Sequence, residues 1–324
     1  MKAFKWRKMG RIFNPLEHER PFWGVEFALA PSTLVLDDVV RVYFSCRSKR
    51  DENQEQVSYS SFIDLNKENL KEITAISDHP IAPLGELGSF DEFGIVMTSV
   101  LAWKEKVYSY YIGWSRMRSV PYATAIGMLE SHNDGVDFHR IGKGGPIITA
   151  SLHSPMREHA CPIVRRFNDQ FYMWHMAGIK WIKDEQTGKI EPQYQITYSI
   201  SQNTIDWTPQ NDFVIPPITE DECQTTPNVF FKDGYYHMFF SYRRALDFRT
   251  NVNRSYRIGY AYSQDLKSWT RNDALAGIDI SAEGWDSEMI CYPHIFELNG
   301  KWIMLYNGNH FGREGFGYAE LIED

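Results

Sequence analysis

Residues Thr226–Arg244 have the sequence TPNVFFKDGYYHMFFSYRR. Two runs rich in aromatic and apolar residues flank the pair Asp233-Gly234. An Asp-Gly pair between such runs is the strongest short-range signal of a β-hairpin. The stretch therefore predicts an apolar strand, a tight turn, and a second aromatic strand that ends at Arg243 and Arg244.

The same pattern occurs five times along the chain. The other four copies have their turns at Asp37-Asp38, Lys104-Glu105, Asn168-Asp169 and Asn299-Gly300. With the turns aligned, the first strands begin at Ser32, Ser99, Ile163, Asn228 and His294, which are about 67, 64, 65 and 66 residues apart. A fixed period of this size indicates an array of supersecondary units.

Each unit continues beyond its hairpin with a third strand of alternating character, such as Tyr256–Ser263. In units three and four this strand leads into a short polar turn that ends at Trp207 or Trp269, and a fourth, outer strand is expected to follow. The last unit has only three strands before the chain ends. We therefore expect a segment near Arg11–Phe13 to supply its fourth strand.

Small antiparallel sheets repeated five times predict an all-β fold, a five-bladed β-propeller with its ring closed by the N-terminal segment. The predicted blades span residues 25–84, 85–150, 151–215, 216–278 and 279–324 plus the N-terminal strand, so residues 1–324 would form a single domain. A pair of stacked β-sandwich sheets is the alternative, but that architecture predicts no regular long period.

Composition excludes several classes of function. The formal net charge is −8 with no basic tract, which argues against a nucleic-acid partner. No stretch approaches the roughly 18 apolar residues of a membrane span, and no apolar run follows the basic N-terminus as a secretory signal requires. The four cysteines are scattered, without metal-ligand spacing, and no cofactor motif is present. We expect a cytoplasmic protein without a cofactor or metal.

Candidate functional residues flank the five hairpins. Because the second strand of a hairpin is antiparallel to the first, its end returns to the face at which the first strand begins. Each unit has a carboxylate shortly before its first strand, and the second strands are followed by arginine, lysine, amide, histidine or tryptophan side chains. We predict that these side chains surround one mouth of the central channel.

The predicted site has two parts. The candidate catalytic acids are Asp91, Glu158 and Asp286. The candidate substrate-binding residues are Glu92, Arg47, Trp114, Glu222, Arg243, Arg244, Tyr292, Asn307, Asn309 and His310. Glycosyl transfer requires a pair of carboxylates, and arginines bind carboxylate or phosphate groups, so we expect a carbohydrate ligand, neutral or anionic. Alternatively, each acid taken alone is a turn residue or an ion-pair partner, or the acids bind calcium.

Segments spread over nearly the whole chain carry a resemblance. They are GSFDEFG (88–94), YYIGW (110–114), SYRR (241–244), GWDSEMICYP (284–293) and MLYNGNHFGREGFG (304–317). Together with the five units, they resemble the five-bladed propeller glycosidases, which include arabinanases, invertases, levansucrases and the mannoside phosphorylases. The resemblance is greatest to bacterial members found among polysaccharide genes.

The resemblance implies an Asp in blade one, an Asp in blade two and a Glu proton donor in blade three. In this chain Ala30 precedes the first proline and Met97-Thr98 occupies the second position, whereas Glu158, four residues ahead of Pro162, is a shifted match to the proton donor. Three hypotheses follow: a glycoside hydrolase or transferase, a glycoside phosphorylase with phosphate bound by arginines and His310, or a non-catalytic carbohydrate-binding propeller.

Overall fold

Strands make up nearly all of the regular structure, which confirms the all-β prediction. The computed structural model describes residues 2–322, so Met1, Glu323 and Asp324 lie outside the described residues. The chain starts with β1 (Trp6–Phe13), followed by β2 (Glu26–Val35), β3 (Val39–Arg47), β4 (Ser58–Asn66), β5 (Asn69–Ile76), β6 (Gly94–Trp103), β7 (Lys106–Arg116), β8 (Tyr122–Ser131) and β9 (His139–Arg140).

The second half of the chain continues the same succession. Its strands are β10 (His159–Phe167), β11 (Gln170–Lys183), β12 (Ile190–Ser201), β13 (Thr208–Pro209), β14 (Glu222–Lys232), β15 (Tyr235–Arg244), β16 (Arg257–Ser263), β17 (Thr270–Arg271), β18 (Cys291–Leu298), β19 (Lys301–Asn307) and β20 (Phe316–Leu321). Short helical turns occur at Pro15–Glu17, Val252–Arg254, Asp273–Leu275 and Asn309–Gly312. No helix in residues 2–322 is long and apolar enough to cross a membrane.

The strands pair antiparallel in groups of four: β2–β5, β6–β9, β10–β13, β14–β17, and β18–β20 with β1. The N-terminal strand β1 pairs with β20, the third strand of the last group. One parallel bridge, between Ser58 and Gly94, connects the first two groups. The first strands of the groups contact each other in the cyclic order β2, β6, β10, β14, β18 and back to β2. The five groups therefore surround a common axis.

All five predicted hairpin turns are confirmed, since each falls between a first and a second strand. The pairs Asp233-Gly234 and Asn299-Gly300 have positive φ at both residues, with values of 50° and 82° and of 49° and 74°. Turns of this kind match the right-handed twist of the flanking strands, and Asp-Gly and Asn-Gly adopt them readily. The turn residues thus explain the hairpins that the sequence predicted.

The hydrophobic core lies between neighbouring sheets rather than at one centre. Phe44 of β3 belongs to the same cluster as Leu305 of β19, and Tyr43 to the same cluster as Met97 of β6. Corresponding clusters join β7 with β11, β11 with β15, and β15 with β19. Burying apolar area at all five junctions stabilises the ring as a whole.

Each first strand contains a bulge just before the residue at which it was predicted to begin. The pairing with the second strand shifts by one extra residue before Ser32, Ser99, Ile163, Asn228 and His294. In four strands the bulge contains a proline, and the residue before it has positive φ: Ala30, Cys161, Thr226 and Tyr292, at 50° to 56°. Bulges redirect side chains and are frequent beside functional sites. The bulges therefore recur along the chain with the same spacing as the hairpins.

Candidate functional site

A cavity of about 750 Å³ opens where these bulges occur. Its wall includes the bulge residues Ala30, Cys161 and Tyr292, together with Thr225, which directly precedes the bulge of β14. Every one of the five sheets or their connecting loops contributes to the wall. The predicted residues Glu158, Arg47, Trp114, Arg243 and Tyr292 line it. The structure therefore brings together five of the thirteen residues that the sequence singled out.

Glu158 is the predicted acid that lies on this wall. It immediately precedes β10, its side chain is 1 % exposed, and its Oε2 atom has no hydrogen-bond partner among the described residues. Burial raises the pKa of Glu158 to about 8, while Thr124 and the charge of Arg243 act in the opposite direction. A carboxyl group in this state is protonated at neutral pH and suits general-acid catalysis.

Gly178 makes room for Glu158. A Cβ atom at Gly178 would lie only 2.7 Å from the Cβ atom of Glu158, a distance that real Cβ atoms essentially never show. The amide of Gly178 also donates a hydrogen bond to the carbonyl oxygen of Glu158, at 2.7 Å. The second strand of this sheet therefore holds the backbone of Glu158 while leaving space for its side chain.

Arg243 is buried beside Glu158, with 4 % of its surface exposed. Its Nε donates to the hydroxyls of Tyr194 and Tyr256, at 3.1 and 3.2 Å, and its Nη1 donates to two backbone carbonyls. The guanidinium carbon is 3.6 Å from the ring centroid of Phe248. No carboxylate in residues 2–322 forms an ion pair with Arg243, so a charged group is held in place by neutral partners.

Arg47 and Trp114 lie on other parts of the wall. The guanidinium carbon of Arg47 is 4.6 Å from the ring centroid of Phe27. The Trp114 indole lies across Gly94, its partner in the strand pairing, where a Cβ atom would collide with the indole. An indole face and a guanidinium on a cavity wall suit a ligand with flat apolar faces and polar edges.

Several wall residues were not singled out by the sequence. They include Tyr122 at the start of β8, Glu191 in β12, and Phe248 and Arg249 in the loop after β15. The carboxylates of Glu55 and Glu191 form ion pairs with Arg116 and Arg249, so both acids are neutralised. No spacing in the sequence marks these residues, because they come from third strands and irregular loops outside the repeated hairpins.

The prediction that Asp91 and Asp286 face the same cavity as Glu158 is wrong, because neither lies on its wall. Asp91, which is 0 % exposed, accepts hydrogen bonds from Arg140 at 2.6 Å and from the Tyr111 hydroxyl at 2.7 Å. Asp286 accepts from Lys8 at 2.7 Å and from the Tyr306 hydroxyl at 3.0 Å. In both cases the acid before the first strand is paired with a cation of the outermost strand.

Six further predicted residues also lie away from the cavity wall: Glu92, Glu222, Arg244, Asn307, Asn309 and His310. Glu222 pairs with Arg271 at 2.6 Å, and Arg244 pairs with Asp221 at 2.8 Å. Glu92 and Asn309 accept hydrogen bonds from loop amides, and His310 is exposed near Glu314.

Asn307 has a purely structural set of contacts. Its amide accepts from the backbone of Ala30 and donates to the carbonyls of Ala28 and Gly315, at 2.8 to 2.9 Å. These bonds fasten β19 to β2. Most of the six residues lie in loops or at strand ends, where strand alternation does not set the direction of a side chain, so the sequence could not establish whether they reach the cavity wall.

No known protein-family profile matches the chain. Two relatives do match: the uncharacterized protein Rv1502 of Mycobacterium tuberculosis strain H37Rv and its counterpart MT1551 in strain CDC 1551. Each is 31 % identical over 317 residues, which cover 98 % of this chain and 99 % of the relative. The chain belongs to the Rv1502 family.

Solved structures with a similar fold are glycoside-active proteins of five-bladed propeller families. A glycoside hydrolase matches with a TM-score of 0.74 at 13 % identity, covering 98 % of this chain and 93 % of its own. A protein of the GH130 family of mannoside phosphorylases and glycoside hydrolases matches at 0.67 and 11 %, with the same coverage. A thermostable family-43 glycoside hydrolase matches at 0.64 and 14 %, covering 94 % and 93 %. This member of the Rv1502 family therefore has the five-bladed propeller fold of these glycosidases, and the likeness extends to the fold alone.

Proposed function

We propose that this protein is a glycoside-active enzyme in which Glu158 is the general acid. The observation that carries this proposal is the state of Glu158: a buried, cavity-lining carboxyl group with no ion-pair partner among the described residues and with a pKa raised to about 8. Retaining such a group costs stability, and strongly shifted acids in cavities are candidates for catalysis. The glycosidase fold makes a carbohydrate the fitting ligand.

In this mechanism Glu158 donates its proton to the glycosidic oxygen as the bond from that oxygen to the anomeric carbon breaks. The leaving sugar departs as a neutral alcohol. The oxygen of a water or sugar hydroxyl forms the new bond at the anomeric carbon and releases its proton, which restores the acid form of Glu158 directly or through solvent. Trp114 and the tyrosines of the wall would pack against the sugar rings. Arg243 stabilises the negative charge that is left on Glu158 after proton transfer. Its own positive charge is available for this because no carboxylate in residues 2–322 forms an ion pair with it.

A second candidate is phosphorolysis, which one specific observation favours. Of the three carboxylates among the described wall residues, Glu55 and Glu191 are each neutralised by an arginine, which leaves Glu158 without a second free carboxylate to act as base or nucleophile. In phosphorolysis an anionic phosphate attacks the anomeric carbon directly. Arg47 and Arg243 are arginines of the wall that could hold it.

The test is a screen of reducing-end-labelled oligosaccharides with the full chain, with and without inorganic phosphate. Release of free sugar without phosphate would indicate hydrolysis or transfer, and release of a sugar 1-phosphate only with phosphate would indicate phosphorolysis. In either case the rate should fall as the pH rises through about 8, since Glu158 then loses its proton. Binding without turnover over long incubation would contradict both candidates and indicate a carbohydrate-binding protein.

We also propose that pairing of β1 with β20 closes the ring, since it provides the fifth sheet with its outer strand. A variant lacking residues 2–13 should then unfold at a lower temperature than the full chain. We further propose a cytoplasmic location, a proposal supported by four free, buried cysteines at 46, 161, 223 and 291. Fractionation of the native host would test it.

A further inference from the structure

The wall of the cavity has an excess of hydrogen-bond donors and positive charge. Five arginines line it, namely Arg47, Arg50, Arg116, Arg243 and Arg249, against the three acids Glu55, Glu158 and Glu191. Two of the arginines are used to neutralise Glu55 and Glu191, and Glu158 is protonated at neutral pH. A protein with a net charge of −8 therefore has a cavity with a net positive charge.

We propose that this cavity contains an oxyanion subsite, built on Arg243 and Arg47, that holds a carboxylate or phosphate group of the ligand. The inference rests on the proposed function in taking the ligand to be a carbohydrate, and it adds the chemical class of that ligand. The group is either a substituent of the sugar, as in a uronate or a sugar phosphate, or a free phosphate ion bound next to it.

The hydrogen bonds of Arg243 leave one of its edges for a ligand. Nε and Nη1 donate to the two tyrosine hydroxyls and to the carbonyls of Arg244 and Ala245, whereas Nη2 has no acceptor within the described part of the chain. Nη2 is not fully buried, and Arg243 lines the cavity, so a ligand in the cavity can reach this nitrogen. Carboxylates and phosphates are the acceptors that suit a guanidinium edge.

The two tyrosines add to the supply of donors. The hydroxyls of Tyr194 and Tyr256 are 2.8 Å apart, and both accept from Nε of Arg243. One of the two hydroxyl hydrogens forms the hydrogen bond between the tyrosines, so the other hydroxyl hydrogen is left to donate to a different group. The Phe248 ring on the guanidinium at 3.6 Å, together with Tyr194 at 5.2 Å, restricts its rotation. Arg243 is thus preorganised, which lowers the entropic cost of binding an anion.

Arg47 supplies a second cation whose side chain has no hydrogen bond or ion pair to residues 2–322. Its guanidinium lies over the face of Phe27. Burial lowers the pKa of Arg47, with Tyr292 acting in the opposite direction, but a guanidinium remains charged at neutral pH. Arg47, Arg243, Glu158 and Tyr122 all line this one cavity.

The test measures binding by calorimetry at pH 6.5 with four probes: D-glucuronate, glucose 6-phosphate, glucose and inorganic phosphate. We expect at least one anion to bind with a dissociation constant at least about tenfold below that of glucose, since hydrogen bonds to charged groups are the strong ones. Arg47→Gln, which removes no protein hydrogen bond, should weaken that binding roughly 10- to 100-fold. Arg243→Lys should also weaken anion binding, because lysine keeps the positive charge but lacks the paired N–H donors of the guanidinium.

Arg7→Gln is the matched control, because it changes the net charge equally at an exposed position on β1. It should leave anion binding within about twofold, since charges separated by more than a Debye length are largely screened. Tight binding of a charged sugar but not of inorganic phosphate assigns the anion to the sugar. Tight binding of inorganic phosphate assigns it to a free phosphate ion.

The proposal is overturned if no anion binds more tightly than glucose, or if Arg47→Gln and Arg243→Lys bind the preferred anion as the wild type does. Thermal unfolding of both variants would show that they are folded. Failure here is distinct from failure of the proposed enzyme function: Glu158→Gln should keep anion binding at pH 6.5 while losing turnover. If the protein cleaves neutral glycosides but binds none of the anions, the anion subsite is refuted and the proposed enzyme function is not.

Discussion

Glu158 and Asp91 look alike in sequence and differ completely in their surroundings. Both precede the first strand of a sheet, and at 1 % and 0 % exposure both are buried. Asp91 accepts from Arg140 and Tyr111, and its charge is neutralised within its own sheet. Glu158 forms no ion pair with any residue in 2–322, faces the cavity, and keeps its proton up to a pH of about 8.

The contrast between the two acids separates structural carboxylates from candidates for function. Asp91 and Asp286 each join the approach to a first strand to the outermost strand of the same sheet, through Arg140 of β9 and Lys8 of β1. Such pairs have a structural role, because removing one partner leaves a buried charge uncompensated. An acid on a cavity wall that has no ion-pair partner in residues 2–322 serves no comparable structural purpose, which supports the proposal that Glu158 takes part in chemistry.

The largest expected effect is on catalysis by Glu158→Gln. Because glutamine keeps the size of the side chain but cannot donate a proton, turnover on an unactivated glycoside should fall about 10²–10⁴-fold. The loss should be much smaller on aryl glycosides whose leaving phenol needs no proton. Assays of the purified variant on both substrate types would check this. Equal rates for variant and wild type on the unactivated glycoside would remove Glu158 from the mechanism.

Asp91→Asn should destabilise the protein and leave turnover nearly unchanged. It leaves Arg140 without its carboxylate, so the free energy of unfolding should fall by about 3 kcal/mol, the low end for breaking a buried pair because Arg140 is partly exposed. Urea unfolding would measure the loss. Turnover per folded molecule, assayed well below the unfolding temperature, should stay within a few-fold of wild type. A drop comparable to that of Glu158→Gln would return Asp91 to the list of catalytic acids.

The pH dependence of the free energy of unfolding should reflect the raised pKa of Glu158. With a folded pKa of about 8 and an ordinary value of 4.5, the folded state binds one more proton than the unfolded state between these pH values. Stability contributed by this group is therefore lost as the pH rises from about 4.5 to 8. Between pH 5 and pH 7 the wild type should lose roughly 2–3 kcal/mol of unfolding free energy relative to Glu158→Gln.

Urea unfolding of both proteins at the two pH values is the measurement. Asp91→Asn provides the comparison, since it should be less stable than wild type at both. If wild type and Glu158→Gln follow parallel pH curves, Glu158 is ionised in the folded state and cannot be the proton donor at neutral pH.

The smallest expected effects come from two matched glycines. A Cβ atom at Gly178 would lie 2.7 Å from the Cβ of Glu158, and one at Gly113 would lie 2.6 Å from the Cβ of Asp91. Each Gly→Ala change should cost about 1–3 kcal/mol of stability through overpacking. Only Gly178→Ala should also lower turnover, by roughly tenfold, because it displaces the acid from the cavity. A similar loss of turnover in Gly113→Ala would show that the two sites are not independent.

Much of the fold could be predicted because it depends on local chemistry. The turn pairs Asp233-Gly234 and Asn299-Gly300 favour positive φ, and the aromatic runs beside them favour strands, so hairpins could be located from neighbouring residues alone. The period of about 65 residues then followed from counting. The bulges could not be predicted, although the prolines at 31, 162, 227 and 293 in four of the five copies marked where they occur.

The candidate site was only partly predictable. Glu158, Arg243 and Arg47 were found because they flank the repeated hairpins, whereas Tyr122, Phe248 and Arg249 come from segments outside the repeat. Asp91 and Asp286 have the same sequence features as Glu158. Whether an acid in a loop points across its sheet or into a cavity depends on a cation more than forty residues away in sequence.

The strands, their turns, the period of five units and the carboxylate before each first strand can be read from the amino-acid sequence, because they depend on the preferences of adjacent residues. Which of those carboxylates acquires a partner depends on how distant segments pack together. Arg140 and Lys8 reach Asp91 and Asp286 only when the outermost strands are in place. Glu158 is left in a low-dielectric cavity beside Arg243, and its proton affinity is a property of that surrounding rather than of its position in the chain.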